Sequence, residues 1–496
     1  MDDLPASLLF RFKRYVNTSP FAFFLRSSHL TTLSFKSIPN NPWPGDFVRA
    51  HLLLDRFGGM VSHPQKTIWH DTETKESPYF HSFSWLCDLR TIGDNQSRRF
   101  IRSSILTWIK EQTSYKHIGW QPHILGERLS HWLHHFEFFG QSADEAFLRV
   151  FYKSFYHQFT FLHTSALTLS PSYESISALK GLILAALAYG FPLDKKYSTY
   201  LQHLHMHLQN TLFKDGFFIT SEVDPQLAIL KHLIELRNFM RLTHNGERVP
   251  RLQQVITKMV PPLRFFRHGD GRLSSLSGIS QYSSPMVDTV LALSDVRGRH
   301  PLRSEEAGFE RLHIKNNILI LRTRYHNHPL QSSGNLQFEW SHGKDRLIKY
   351  CDVILENQKG HPFHSRSMAH TYKQQDDAHA FIELKLHDIN HLQARELYVS
   401  KETDLRVCEK VRVNQKAYGS LRFILDKKLQ AHISHDAKSV TLVHPKGNRY
   451  RLHFSGIDEI TIDLTTCLGS NDLILFALFE LNANTPKEIK WSMVCK

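Results

Sequence analysis

Three basic side chains recur along one edge of a predicted helix. Arg128, His131 and His135 follow at i, i+3 and i+7 within residues 122–139, beside the apolar stripe that contains Trp132. Arginine binds carboxylates and imidazole transfers protons near neutral pH. The pattern therefore indicates the lip of a cleft that binds an anion and moves a proton. The alternative is a basic edge that meets only solvent.

A second group on the preceding helical segment combines a base, an aromatic ring and an acid. His81, Trp85 and Asp88 are spaced i, i+4 and i+7, so they can share one helix face. On such a face His81 and Trp85 are candidates for substrate binding. A lone tryptophan more often belongs to a core, which is the alternative.

A third group follows the Pro pair at 261–262. Residues 264–271 contain Arg267, His268 and Asp270 in a turn with two glycines. Such a turn can present several hydrogen-bond donors to an anion. Alternatively, Asp270 accepts nearby backbone amides and the turn is structural.

Arg366 and His370 lie in a histidine-rich stretch of the second half and are candidates for substrate binding. No histidine pair there has a carboxylate at helical spacing, which argues against a metal site. The five cysteines are far apart and form no CxxC pair. Glycine-rich phosphate loops, GxSxG and HExxH are absent from the sequence. We therefore expect no metal and no cofactor.

The composition is that of a globular protein with an excess of positive charge. The 496 residues are 41% hydrophobic and 22% charged, with a formal net charge of +14. Two to four domains are expected at this length. The charge favours polyanions as partners, whereas the alternative is a basic but inert surface. The most apolar run, 179–189, is too short to cross a bilayer, and the first residues show no export signal.

The elements that must position these residues change character along the chain. Residues 1–75 are rich in proline and predict an irregular extension. Residues 76–270 have a helical period, with helices expected at 97–112, 122–139, 174–189, 194–213, 224–241 and from Pro250 to before Pro261. Ser142 and Glu145 predict a capping box. Residues 271–309 look like a connector.

From residue 310 to the end the period becomes two. Leu336–Ser341 and Arg346–Asp352 predict a hairpin, and residues 440–444 and 450–454 predict another. Further strands are expected near 318–322, 379–387, 405–413, 458–463 and 472–480. Many short strands separated by polar turns favour an antiparallel β-sandwich. The fold class is thus α+β and multidomain.

The ordered set of these motifs resembles the heparinase II/III family of polysaccharide lyases, in particular an alphaproteobacterial branch. The residues that carry the resemblance are His81–Leu89, Gly119–Pro122, Glu127–Leu133, Asp215–Gly216, Leu263–Gly271, Leu336–Glu339 and Arg366–Thr371. The resemblance implies an incomplete (α/α) helical toroid followed by an antiparallel multilayer β-sandwich. It also implies β-elimination on a polysaccharide that contains uronic acid.

Elimination explains the residue types. A site must neutralise the C6 carboxylate of the uronate, remove the C5 proton with a base and protonate the leaving O4 with an acid. We assign Arg128, His131 and His268 to catalysis. We assign substrate binding to a second set, namely His81, Trp85, Trp132, Arg267, Asp270, Arg366 and His370.

The chain departs from the family pattern at two places. Ser332 stands where the pattern has a candidate histidine base, with His326 and His328 nearby but out of position. Phe217–Phe218 follow Asp215–Gly216 where Gly-His is expected, and the tyrosine common near residue 225 is missing. These departures predict weak or absent turnover.

The expected function is a β-eliminating lyase for an acidic polysaccharide with a site that departs from the family's. The alternative is an inactive protein of the same fold that binds acidic glycans. Nucleic acid is a less favoured partner, and no membrane span is expected. The resemblance implies the cell envelope or periplasm, and the cytoplasm is the alternative because no signal peptide is visible.

Overall fold

The computed structural model divides the chain into two compact units. The first comprises described residues of Met1–Leu212 and Ala228–Thr257, and the second those of Phe213–Leu227 and Lys258–Lys496. The predicted domain boundaries at residues 75, 270 and 309 stay predictions. The structure describes residues 34–39, 41–59, 67–191, 197–220, 222–243, 245–276, 280, 282–324, 335–361, 363, 369–387, 391–402, 404–463, 466–467 and 470–495.

Helices dominate the described part of the chain up to Leu293. Three of the first unit's helices begin at an aspartate whose carboxylate accepts backbone amides, Asp46, Asp94 and Asp144. The α-helices are α1 Phe47–Phe57, α2 Pro78–His81, α3 Leu86–Ile92, α4 Asn95–Glu111, α5 Pro122–His134, α6 Phe136–Gly140, α7 Glu145–Ala166, α8 Tyr173–Ala188, α9 Ser198–Thr211, α10 Val223–Leu242, α11 Val249–Phe265 and α12 Ser284–Leu293. Three short 3-10 helices span Ile68–His70, Ile118–Trp120 and Gly246–Arg248.

Several details of the helical predictions were wrong. The helix expected at 122–139 is two helices, α5 and α6, and the segment with His81 and Trp85 is likewise divided into α2 and α3. The extension expected to be irregular contains α1. The cap of α7 is Asp144 and not Ser142, because the Asp144 carboxylate accepts the amide of Phe147 at 2.7 Å. α11 continues through Pro261 and Pro262. A proline in a helix leaves a carbonyl one turn earlier without its partner. Here the carbonyl of Lys258 lies against Gly216, where any Cβ would approach the carbonyl oxygen to 2.1 Å.

Two antiparallel sheets of eight strands each form most of the second unit. Their orders are β1-β2-β3-β4-β5-β10-β17-β14 and β11-β12-β13-β18-β9-β8-β7-β6. The strands are β1 Arg303–Ser304, β2 Phe309–Ile314, β3 Asn317–Arg322, β4 Asn335–His342, β5 Asp345–Asn357, β6 His370–Gln375, β7 His379–His387, β8 His391–Ser400, β9 Asp404–Val413, β10 Ala417–Leu425, β11 Gln430–Ile433, β12 Ser439–Val443, β13 Arg449–Ser455, β14 Glu459–Asp463, β15 Thr466–Cys467, β16 Ser470–Asn471, β17 Leu473–Leu481 and β18 Lys487–Cys495.

The sheets enclose one apolar core to which both contribute alternate side chains, such as Phe338, Leu384, Phe423 and Trp491. Both predicted hairpins are confirmed, β4 with β5 and β12 with β13. The prediction of a helical part followed by an antiparallel sandwich is confirmed. Among the described residues, no helix has both the length and the apolar character needed to cross a membrane.

Candidate active site

Two glycines bring helices α5 and α8 into backbone contact. A Cβ on Gly181 would lie 2.2 Å from the carbonyl oxygen of Gly126, and a Cβ on Gly126 would lie 2.8 Å from the Cα of Ala178. Only glycine permits such an approach. The crossing sets Glu127 beside two side chains of α8: Ser177, whose hydroxyl donates to its carboxylate, and Lys180.

A compact ionic group, which we term the Glu127 cluster, forms around this crossing. It comprises Glu127 and His131 of α5, Lys180 of α8, and His232 and Glu235 of α10. The Lys180 ammonium lies 3.0 Å from Glu127 Oε2 and 3.2 Å from Glu235 Oε2. Nε2 of His232 lies 3.2 Å from Glu127 Oε1, and Nε2 of His131 lies 3.7 Å from Glu127 Oε2.

Burial and charge set the protonation states in this cluster. Burial opposes ionisation of Glu127, but Lys180 and the two histidines hold its pKa well below its usual range. Burial likewise opposes ionisation of Glu235, whose pKa Lys180 brings down to about 2. Burial lowers the pKa of His131 to about 3 and that of His232 to about 4. At neutral pH the carboxylates are therefore charged and these imidazoles are neutral.

The cluster reaches solvent through two of its members. The side chains of Lys180, Glu235 and His232 are almost fully enclosed, whereas those of Glu127 and His131 are 19% and 21% exposed.

Two further side chains lie at the cluster's edge. The half-buried ring of Tyr173 stacks on His232, with centroids 6.2 Å apart and planes at 18°. The hydroxyl of Ser84 lies 3.4 Å from His131 Nε2. The opening thus presents imidazole and carboxylate, which are group types of acid–base chemistry.

The residues before α1 close the cluster on its α10 side. The Trp43 indole N–H donates to Glu235 Oε1, and the Lys231 ammonium lies 5.2 Å from the centre of the Trp43 ring. Nearby, Asn41 lies 3.2 Å from His135 Nε2 and donates to the Cys87 thiol. Part of the extension therefore belongs to the wall of the site.

Among the predicted site residues of the first unit, only His131 is in the cluster. His81, Trp85 and Trp132 are buried in an aromatic core with Phe83 and Trp108. Burial lowers the pKa of His81 to about 4. Their assigned role in substrate binding stays a prediction, while their observed contacts are those of packing.

Arg128 is also fully buried. Its guanidinium lies 3.8 Å from the centre of the Trp108 ring and donates to the carbonyls of His81 and Gly119 and to Gln158. Burial alone holds its pKa well below the usual range. The cation thus ties three segments together, and its predicted part in catalysis stays a prediction.

The predicted residues 267–270 lie in the second unit. His268 is fully buried between Ser341 Oγ at 2.8 Å and Glu339 Oε2 at 2.7 Å. The Asp270 carboxylate accepts the amide of Arg272 at 2.9 Å, as the structural alternative for this turn proposed. Arg267 pairs with the carboxylate of Asp288. The catalytic and binding roles assigned to these residues stay predictions.

Of the remaining predicted residues, the structure describes one and leaves the others outside the described part of the chain. His370 is exposed on the outer strand β6. Arg366, Ser332, His326 and His328 lie outside the described residues.

At the other departure from the family pattern, Phe217 and Phe218 are buried. The Phe217 ring packs against Phe265, Phe266 and Phe309. The segment after Asp215–Gly216 therefore contributes apolar packing where the family pattern has Gly-His.

Four members of the cluster were not predicted as site residues, namely Glu127, Lys180, His232 and Glu235. The signal for Lys180 was present, because it is the one charged residue in the apolar stretch of α8 between Ser175 and Ala188, where every residue is buried. A lysine is almost never fully buried unless it is paired, so a carboxylate partner could have been predicted. Its identity could not. No group of three or more metal-ligating side chains occurs in the part of the chain that the structure describes.

Comparison with known proteins identifies the fold. No protein-family model matches the chain. The crystal structure of heparinase III is similar with a TM-score of 0.70 and 13% identity, over 99% of this chain and 92% of that one. Heparan sulfate lyase HepC from Pedobacter heparinus is similar with a TM-score of 0.58 and 12% identity, over 96% of this chain and 87% of that one. The chain has the heparinase-like fold of a helical toroid and a β-sandwich, as the resemblance predicted.

A curated protein is similar over a shorter stretch. FtsZ-localized protein C from Caulobacter vibrioides is 24% identical over 297 residues, which are 59% of this chain and 50% of that protein. The chain thus spans about half the length of the curated relative it matches.

Proposed function

We propose that this protein binds a uronic-acid-containing polysaccharide and catalyses its β-elimination only weakly or not at all. Lyases are among the proteins that have this fold, and the Glu127 cluster brings imidazole and carboxylate to one opening. The substrate class comes from the family resemblance and from the net charge of +14.

The proposal of weak turnover rests on the protonation states of the side chains in the cluster. A general base works best when its pKa lies near the working pH. The pKa of His131, the exposed imidazole, is lowered by burial to about 3, so it accepts a proton reluctantly. Lys180 cannot readily neutralise a substrate carboxylate, because Glu127 and Glu235 already share its charge.

A test follows from the product of the reaction. β-Elimination leaves an unsaturated uronate that absorbs ultraviolet light. The natural protein is incubated with heparin and with alginate, while affinity electrophoresis in the same polymers measures binding. We expect retarded migration with little absorbance. Rapid product formation would overturn the weak-turnover proposal, and the absence of binding to every acidic glycan would overturn the substrate class.

A gain-of-function variant sharpens this test. Ser332→His restores the histidine of the family pattern and Ser333→His is its matched control. Since a general base contributes about 10²- to 10⁴-fold, product formation should rise in the first variant only. Equal rates in both variants would contradict the idea that residue 332 is the missing base.

A second candidate function comes from the curated relative. Its 24% identity exceeds the 12–13% of the lyase structures, and its name places it with FtsZ. The candidate is a protein that localises with FtsZ. Co-sedimentation with purified FtsZ polymers tests it: recovery of the protein in the polymer pellet supports the candidate, and its absence there contradicts it.

The compartment belongs to the same proposals. The family resemblance supports the cell envelope, and a role beside FtsZ would support the cytoplasm. Protease protection in spheroplasts separates the two, because an envelope protein is digested from outside and a cytoplasmic one is not.

A further inference from the structure

The outer face of the sheet that ends in β6 carries two neighbouring rows of side chains. Strand pairing sets residues of β13, β18, β9, β8 and β7 directly opposite one another across this face. The first row is His453, Ser492, Arg406, Tyr398 and Phe381, and the second is Ser455, Lys490, Cys408 and Glu396. At about 4.8 Å per strand, each row offers a binding length of roughly 15–20 Å.

A depression of about 320 Å³ lies between these rows. Its lining combines short side chains, Ser455, Ser492 and Cys408, with the long side chains of Arg406 and Tyr398. The Tyr398 ring is held by stacking on His379, with centroids 5.6 Å apart and planes at 23°.

We propose that this face is a second binding surface, distinct from the Glu127 cluster, for a segment of acidic polysaccharide. The flat C–H faces of sugar rings pack on aromatic side chains, which Tyr398 and Phe381 supply. Arg406 and Lys490 lie beside them for carboxylate or sulfate groups. The choice of an acidic polysaccharide rests on the proposed function, whereas the surface is an observation of its own.

The charges of the face support this choice. Along the strands of this sheet, the outward side chains include seven cations, Lys385, Arg406, Lys410, Arg412, Arg449, Arg451 and Lys490, and four carboxylates, Glu383, Glu396, Asp404 and Glu488. A single nucleic-acid strand carries a charge every 3.4 Å, which the interspersed carboxylates would repel. A glycan alternates charged groups with hydroxyls, and a carboxylate can accept a hydrogen bond from a hydroxyl.

The cations that line the depression can exchange their present carboxylate partners for a ligand. Arg406 pairs with Asp404 of its own strand at 2.7 Å, and Lys490 pairs with Glu488 at 3.1 Å. Both cations are more than 60% exposed. Exposed pairs of this kind are weak, so an anionic ligand can replace either partner at little cost.

The test measures binding of full-length protein to heparin oligosaccharides by calorimetry. Tyr398→Ala combined with Arg406→Ala removes one ring and one cation, and we expect affinity to fall at least about tenfold. Tyr418→Ala with Arg299→Ala is the matched control, since both residues are exposed in the second unit but outside this face. Unchanged affinity in the first variant, or an equal loss of affinity in the control, would overturn the proposal of a second binding surface.

A footprint on the natural protein gives a second measurement that needs no variant. Amine acetylation with and without oligosaccharide compares Lys490 with the exposed Lys359. Selective protection of Lys490 is expected, and equal modification would contradict the proposal. Protection by single-stranded DNA of equal charge, at equal concentration, would assign the face to nucleic acid instead.

The failures of the two proposals are distinguishable. If the protein binds oligosaccharide but the double variant binds as tightly, only the second surface is wrong. If the natural protein binds no acidic glycan, the proposed substrate class fails and this surface fails with it. If the double variant loses binding while any slow elimination of a short oligosaccharide persists, both proposals stand.

Discussion

Each unit contains a histidine beside a glutamate, and the two sites are built differently. In the second unit both ring nitrogens of His268 have a partner, Ser341 and Glu339, and the side chain has no exposed surface. In the Glu127 cluster His131 is 21% exposed, and its Nδ1 has no hydrogen-bond partner among the described residues. Saturation favours rigidity. His131 is held by fewer partners, although its unpaired Nδ1 is itself buried.

The partners of Glu339 strengthen this contrast. Its second oxygen accepts the amide of Ser275, so one carboxylate joins His268 to the chain that follows it. Arg346 donates to the carbonyl of Leu273 at 2.6 Å in the same turn. The His268 network therefore pins a turn to a sheet. The comparison teaches that a histidine beside a glutamate is not by itself a catalytic residue, because the same pair can fix a turn to a sheet.

The largest effect is expected from Lys180→Met. The substitution keeps the length of the side chain but leaves Glu127 and Glu235 as neighbouring buried carboxylates without their ammonium. Breaking a buried pair costs about 3–5 kcal/mol, and urea denaturation measures the free energy of unfolding. The double variant Lys180→Met, Glu127→Gln should recover part of this loss. Wild-type stability of the single variant would show that the cluster is not ionised as described.

His268→Ala should be the next most destabilising change. It leaves buried Glu339 without its 2.7 Å donor, and a buried charged acceptor that loses a partner costs about 3 kcal/mol. The urea midpoint should fall while binding of acidic glycan by the folded protein persists. A variant that is stable but has lost elimination activity would instead support the catalytic role predicted for His268.

The pH dependence of stability is a third comparison. Burial lowers the pKa of His232 to about 4, below the value near 6.5 of an unfolded chain. The unfolded state therefore binds more protons than the folded one between these values, so stability falls as the pH drops from about 6.5 to 4. Each such histidine contributes about 1.4 kcal/mol per pH unit. Unfolding measured across this window should show a shallower slope for His232→Gln, and an unchanged slope would contradict the shift.

The smallest change in stability is expected from His131→Ala. Its side chain is partly exposed, and its neutral ring lies 3.7 Å from Glu127, so the free energy of unfolding should change by less than about 1 kcal/mol. Any slow product formation should nevertheless fall, since a general base contributes about 10²-fold or more. His123→Ala, about two turns earlier on α5, is the control for rate. Equal effects of both substitutions on the rate of product formation would contradict a role of His131 in catalysis.

Much of the architecture could be predicted because helices and strands leave a local periodicity of apolar residues in the sequence. The 3.6-residue period of 97–112 and the alternation of 405–413 depend only on which side of each element faces apolar surroundings. Polar turns such as 342–345 set the hairpins in the same local way. The break expected at Pro261–Pro262 does not occur, and the Lys258 carbonyl that Pro262 leaves without its amide partner lies against Gly216, a residue distant in sequence.

The site could be predicted only in part, and α5 shows why. Residues 127 and 128 are neighbours, yet a helix turns 100° between them. Arg128 therefore enters an aromatic core, while Glu127 meets Lys180 and Glu235. Residue types and spacing indicated that this helix carries acid–base groups. The sequence could not indicate which side would meet α8.

The pairing of Glu127 with Lys180 was settled by the tertiary structure. The two residues are 53 positions apart in the chain, and they meet because Gly126 and Gly181 let two helix backbones touch. The same holds for the sheet face that contains Tyr398 and Arg406. The alternation of buried and exposed residues indicates which side chains point outward, but only the strand register makes them neighbours. Local sequence determines which side chains are available and in what period. Long-range packing brings them together, because charges interact strongly only within a few ångströms and that proximity is a property of the folded chain.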